Sequence, residues 1–230
     1  MIPLNLLILE NIPILEQLKL EEALLRTHDQ NWCLINRGSP PAIVMGISGK
    51  KEALVAPNNP YPVIKRYSGG GCVLVDESTL FVSFIFNSQD HPFHPFPEPI
   101  HRYAADFYKE AFQIEAFDFK ENDYVIGAKK CGGNAQYIKK SRWVHHTTFL
   151  WDFCDQKMDY LKMPKRRPDY RLARSHQEFL TTLKGHFPSK TSMIEAIKKE
   201  LNRRFQIENI DLALAKEWGN QPHRVATCLV

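Results

Sequence analysis

The sequence lacks a CxxC pair, a run of about twenty apolar residues, a strong charge of either sign and any internal repeat. Each absence removes a class of protein. The five cysteines, at 33, 72, 131, 154 and 228, have no metal-ligand spacing and are odd in number. They exclude a zinc module or a disulfide framework and read as reduced thiols in a reducing compartment. The formal charge of +4 is too weak to argue for nucleic acid, though it suits an acidic protein partner or a nucleotide. Nothing in the chain is long and apolar enough for a membrane span. The apolar start lacks a basic n-region and is interrupted by Glu10, so it reads as a strand leading into a helix rather than a signal peptide. The expected location is cytoplasmic, or an organelle if a transit peptide has been removed. With no dividing linker, residues 1–230 read as one domain.

Glycine is scarce too, at 11 residues, yet three of them stand together at 69–71. The run KRYSGGGCVLVD at 65–76 places Lys65, Arg66 and Ser68 just before them. Glycine costs entropy in regular structure, so three in succession need a reason. The reading is close approach: bare backbone lets a ligand lie against the main chain, and N–H groups can face an anion. The basic residues supply charge for that anion. A plain turn between two strands is the competing reading.

Around this run the pattern alternates strands and helices. Asn11 and Pro13 open a helix, with Pro13 in its first turn, and Ile14, Leu18 and Leu25 recur at helical spacing. CLIN at 33–36 and AIVMGI at 42–47 flank a GSPP turn, and CVLV and LFVSFIF follow the glycines as strands. The proline-dense DHPFHPFPEP is a loop before a helix at 99–112. DYVIG, AQYI and WVHHTTFLWDF form a meander with turns at GAKK and KKSR. KMPKRRPDYR at 162–171 is a basic loop, and RSHQEFLTTL a short helix. Ser192 with Glu195 predicts a capping box, and Ile194, Ile197, Leu201 and Phe205 an amphipathic helix. The order argues for an α+β fold with a mixed central β-sheet flanked by helices.

A second cluster, NDYVIGAKKCGGNAQ at 122–136, sets two lysines beside two glycines with Asp123 upstream. A lysine near open backbone can hold a phosphate or carbonyl oxygen as a point charge. Lys129 reads as solvated surface, and Lys130 as the functional one. Asp123 could accept from a nucleotide base or help hold a divalent cation beside phosphates. The pair His145–His146 enters a strand, so the two point to opposite faces and one faces a site.

These residues carry a resemblance. KRYSGGGCVLVD resembles the RRxSGGGxVxHD signature of lipoate–protein ligases, NDYVIGAKKCGGNAQ resembles their ND…GKKxSGSA element, and HHTTFL is similar to their HHGTLL strand. ILEQLKLEEALLR fits the family's early helix. Three elements in order, over about residues 5 to 205, are far more specific than one. The resemblance implies the fold shared with biotin–protein ligases and octanoyltransferases. It implies that lipoate and ATP, with Mg2+, give lipoyl-AMP, and that the lipoyl group then passes to a lysine of a partner. The implied partners are lipoyl domains of 2-oxoacid dehydrogenase E2 subunits or the glycine-cleavage H protein. It assigns Lys130 to the acyl-adenylate carbonyl and phosphate. Arg66, Ser68, Gly69, Gly70, Gly71, Asp123, Gly133 and His146 become adenylate-binding residues, with Asp123 near the metal.

Three departures qualify the match. Val75 stands where the family often has histidine, Thr147 replaces the glycine of HHGT, and Gly132-Gly133-Asn134 replaces Ser-Gly-Ser. The residues after about 206 are too few for the family's small C-terminal domain. A separate accessory protein for activation, a transferase without the ATP step, and a ligase that works alone are all open readings. Related octanoyltransferases use a cysteine nucleophile on a loop upstream of the lysine motif. Here that loop, EAFDFKE, has none. Cys131, next to Lys130, reads as a packing residue. The rival readings are lipoyl or octanoyl transfer and a non-catalytic acyl-adenylate-binding module.

Overall fold

A computed structural model describes residues 1–163 and 167–230. The strands are β1 Ile2–Leu9, β2 Trp32–Asn36, β3 Ala42–Met45, β4 Val63–Lys65, β5 Cys72–Val75, β6 Thr79–Asn87, β7 Phe117–Lys120, β8 Asp123–Ile126, β9 Lys129–Ile138, β10 Arg142–Leu150, β11 Phe205–Asn209 and β12 Cys228–Leu229. The helices are α1 Ile14–Thr27, α2 Lys51–Leu54, α3 Pro97–Phe112, α4 Asp155–Met158, α5 His176–Phe179, α6 Lys190–Arg204 and α7 Leu212–Gly219. Eight strands form a mixed sheet in the order β11-β1-β2-β6-β10-β9-β8-β7, and four form a smaller one, β12-β4-β3-β5. The fold is therefore α+β, with the expected mixed sheet and a second sheet beside it.

Alternation along β6 shows how the two layers arise. Leu80, Val82, Phe84 and Phe86 point to one face, where α3 and α6 cover them. Phe81 and Ile85 point to the other, under α1, α7 and the small sheet. The same alternation on β10 sends His145 toward the α3 side and His146 toward α1. His145 is fully buried, and Tyr124 Oη lies 2.9 Å from its Nε2. Burial and then the neighbouring His101 push its pKa well below the ordinary imidazole value. His146 pairs with Ser83 of β6 and Ala135 of β9 in the ladder, on the side facing the cavity described below.

Four local expectations change. Pro13 precedes the first turn of α1 as its N-cap. The capping box of α6 is Ser189 with Ser192, three residues earlier than expected, because the Ser192 hydroxyl supplies the returning bond. Phe205 leaves the helix and opens β11, because β1 recruits that segment as a parallel partner, with Ile2 opposite Phe205. The helix expected over 174–183 shortens to α5, since Thr181 N–H donates to Lys130 O and draws the backbone out straight. Of the basic loop 162–171, residues 164–166 lie outside the described residues. Among the described residues no helix is long and apolar enough to cross a membrane.

Candidate active site

The glycine loop joins β4 to β5, and its geometry explains its composition. Gly70 has φ +95°, a conformation that side-chain-bearing residues rarely adopt. A Cβ there would also lie 2.7 Å from Arg66 Nη2. Glycine at 70 therefore makes room for the guanidinium of its own motif. Arg66 curls back over the loop. Its Nε donates to Ser68 Oγ (3.0 Å) and Gly69 O (3.1 Å), and Nη2 donates to Gly69 O at 2.6 Å. A Cβ at Gly69 or Gly71 would meet nothing within 4 Å. Those two glycines border open space.

The second cluster is the hairpin of β8 and β9, and the turn expected at GAKK is shorter. Only Gly127 and Ala128 turn, and β9 begins at Lys129. Gly132 pairs with Phe149, and a Cβ there would lie 2.7 Å from the Phe149 ring. This glycine exists for packing. Gly133 faces the other way. A Cβ on it would stand 3.2 Å from Lys130 Nζ. Lys130 lies over that bare position, and its ammonium reaches Asp123 Oδ1 at 2.7 Å. Tyr170 Oη donates to the other Asp123 oxygen at 2.8 Å.

Both walls open on one cavity of about 570 Å3. It brings together Arg66, Gly69, Gly70, Gly71, Asp123, Lys130, Gly133 and His146. Ser68, the ninth expected residue, is fully buried behind the loop and is not among the lining residues; its Oγ lies 2.8 Å from His146 Nε2. Ile14, Leu18, Val44, Val73, Val75 and Phe81 give the cavity an apolar arm between α1 and the small sheet. A third segment adds Arg171 and His176. Arg171 is buried, with its guanidinium 4.7 Å from the centre of the Phe179 ring.

The electrostatics are unbalanced. Among the described residues, neither Arg66 nor Arg171 has a carboxylate within ion-pair distance. Burial pushes the Arg66 guanidinium down to about 10, and burial and then Arg167 lower Arg171. A buried cation without a partner costs several kcal/mol in desolvation, and an anionic ligand would offset that. The donor set for a divalent cation is poor. Both Asp123 oxygens are already engaged, and the described residues contain no group of three or more metal-ligating side chains. These residues do not build a resident magnesium site.

Residues 13–206 match the model of the lipoyl protein ligase A/B catalytic domain. The chain belongs to that family. It is 30% identical over 197 residues to a Plasmodium falciparum protein named inactive lipoate–protein ligase 2, covering 67% of this chain and 50% of that one. It thus spans half the length of that relative. Its fold matches a crystal structure of lipoate–protein ligase A bound with ATP, with a TM-score of 0.76 and 21% identity over 96% and 95% of the two chains. It also matches the bi-partite lipoate protein ligase of Thermoplasma acidophilum, with a TM-score of 0.75 and 21% identity over 96% and 93%.

Within the ligase family's motifs the two cysteines differ. Cys131 is buried on the core side, donates to Tyr124 O at 3.4 Å, and has its thiol pKa pushed up by burial. Cys72 lines the cavity, but burial pushes its thiol up to about 11. Neither is a thiolate at neutral pH. Val75 is fully buried in the apolar arm. Thr147 is buried, and its hydroxyl lies 3.4 Å from Tyr108 Oη. The sequence reading named none of Glu21, Tyr170, Arg171 and His176 individually. Glu21 left a signal: the stripe Ile14, Leu18 and Leu25 also passes through position 21, so a glutamate had to be buried there. Tyr170 and Arg171 left only the basic composition of their loop.

Proposed function

We propose that this chain is an ATP-dependent lipoate–protein ligase domain, with residues 1–230 acting as one catalytic unit. The lipoate carboxylate attacks the α-phosphate of ATP, the bond to pyrophosphate breaks, and lipoyl-AMP forms. A lysine amine of the acceptor then attacks the acyl carbonyl, and AMP leaves. One observation carries this reading. Two cations, Arg66 and Lys130, each lie over a glycine of their own motif and face the same cavity, which has an apolar arm. Lys130 offsets phosphate charge in the first step and polarises the carbonyl in the second. Arg66 receives the carboxylate or phosphate oxygens. The apolar arm takes the hydrocarbon and dithiolane.

The matched structures with ATP and from a bi-partite ligase studied with its E2 lipoyl domain support ATP, lipoate and a lipoyl-domain acceptor as substrates and partner. An H protein would present the same lysine chemistry. Any magnesium would come with the triphosphate. The name of the Plasmodium relative favours a second reading, an acyl-adenylate binder or transferase without the activation step. One assay separates them. The chain is mixed with ATP, lipoate and a lipoyl domain, and pyrophosphate and the acceptor's mass are followed. Pyrophosphate release with a lipoylated acceptor supports the ligase. Lipoylation only from preformed lipoyl-AMP makes the chain a transferase. Binding of lipoyl-AMP without transfer makes it a binding module.

A further inference from the structure

Glu21 is a buried carboxylate that the proposed reaction does not use. It is fully buried on α1, yet its carboxyl is held below the ordinary carboxylate range. Burial pushes it up, and the hydrogen bond and charge interaction with His146, then hydrogen bonds from Ser83 and Gln17, outweigh that. Ser83 Oγ donates to Oε1 at 2.6 Å and Gln17 Nε2 donates to it at 2.7 Å. His146 Nδ1 lies 3.0 Å from Oε2. The chain continues from there. His146 Nε2 lies 2.8 Å from Ser68 Oγ, which accepts from Arg66 Nε at 3.0 Å.

Donors and acceptors run one way along this chain. A carboxylate only accepts, so His146 Nδ1 carries a proton. Ser68 Oγ already accepts from Arg66, and its own proton needs an acceptor. Among the described residues the remaining partner is His146 Nε2 at 2.8 Å, which accepts it in the Nδ1–H tautomer. Serine, histidine and glutamate in this order have the connectivity of a hydrolase triad. A nucleophile, however, needs an open approach to its oxygen. Ser68 is fully buried, is not among the cavity-lining residues, and has Arg66 donating to the attacking atom.

We propose that Glu21 is a positioning residue that acts through His146 and Ser68 to hold the Arg66 guanidinium over the glycine loop. Glu21 fixes the His146 tautomer, His146 fixes the Ser68 hydroxyl, and Ser68 presents its oxygen to Arg66. A buried guanidinium with no carboxylate partner among the described residues needs such a constraint, because of those residues only Ser68 and the Gly69 carbonyl hold it. The consequence for adenylate binding rests on the ligase reading, but the positioning does not.

The test begins without ligand. Nitrogen NMR of the wild-type chain should show His146 as the Nδ1–H tautomer and a slowly exchanging Arg66 Nε–H. In both Glu21→Gln and Ser68→Ala, Arg66 Nε–H exchange should accelerate roughly tenfold, the effect of losing about one net hydrogen bond. The double variant should exchange no faster than the singles, since both substitutions break one chain. Ser83→Ala, which removes a side branch, should leave the exchange unchanged. Melting curves exclude global unfolding as the cause. Unchanged Arg66 exchange in folded Glu21→Gln, additive effects, or an Nε2–H tautomer would overturn the proposal. Labelling of Ser68 by a fluorophosphonate would also overturn it, as it would make the serine an accessible nucleophile. A non-hydrolysable lipoyl-AMP analogue is titrated last. If wild type fails to bind it while the exchange results hold, the ligase reading fails and the positioning role stands. If wild type binds it, Glu21→Gln should bind it roughly tenfold more weakly.

Discussion

The two glycine clusters look alike in sequence and are built differently. Gly69–Gly71 form a true loop, whose Gly70 needs both its positive φ and its missing side chain. Gly132 and Gly133 lie within β9, one making room for Phe149 in the core and the other for Lys130 over the cavity. The clusters converge on one task, which is to seat a cation where a side chain would displace it. The loop does so with a rare backbone conformation, the strand with ordinary pleating. Of the two glycines that seat a cation, loss of Gly70 in the loop should therefore be felt more severely than loss of Gly133 in the strand.

Removing a cation should have the largest effect. Lys130→Ala is expected to lower lipoyl transfer by roughly 10²–10³-fold or more, while its melting temperature stays close to wild type. A fully active, folded variant would remove Lys130 from the site. Gly70→Ala comes next. It combines a left-handed conformation with a 2.7 Å approach to Arg66, so about 1–3 kcal/mol of stability should be lost, and transfer should fall with it. Gly133→Ala tests the strand side of the comparison. The contact at 3.2 Å is to the end of a flexible lysine, so stability should change by under about 0.5 kcal/mol, with the loss falling on kcat. Equal destabilisation at 70 and 133, read by chemical denaturation, would break the comparison. Gly71→Ala sharpens it further, because its methyl enters open space. Stability should hold while the KM for lipoate or ATP rises.

Two smaller effects concern groups behind the walls. His145 stays neutral when folded, because burial and then His101 lower its pKa. The unfolded imidazole takes a proton as the pH falls below about 6.5. The unfolded state then binds more protons, so stability falls with pH, by up to about 1.4 kcal/mol per unit for this group. Denaturation midpoints that do not change between about pH 7 and 5 would contradict this. Among the thiols, exposed Cys154 and Cys228 should alkylate first, Cys72 slowly, and buried Cys33 and Cys131 last. Mass spectrometry after iodoacetamide reads the order, and early loss of Cys131 would show that its burial is wrong.

The sequence made locally determined elements legible and hid those that distant partners decide. The β-branched and aromatic run LFVSFIF and the proline before α1 are local signals, and they carried β6 and α1. The motif residues were legible because glycine beside a cation is rare. What was hidden depended on distant partners. Whether Lys130 lies in a turn or a strand is set by the pairing of Gly132 with Phe149. The fate of Phe205 was set by the open edge of β1. Arg171 reaches the cavity, and Tyr170 reaches Asp123, because their segment crosses the end of β9, where Thr181 bonds Lys130 O. Glu21 was the one missed residue that helical spacing alone could have revealed.

The central claim is that both walls close on a single acyl-adenylate. Calorimetric titration of a non-hydrolysable lipoyl-AMP analogue tests it most directly, using wild type, Arg66→Ala, Lys130→Ala and the double variant. The expected result is tighter binding of the analogue than of AMP or lipoate alone. Each single variant should weaken it by at least about tenfold, and the double variant by more than either, as two charge-assisted contacts to one ligand require. Wild-type affinity for the analogue no greater than for AMP, or full affinity in either single variant, would contradict the account.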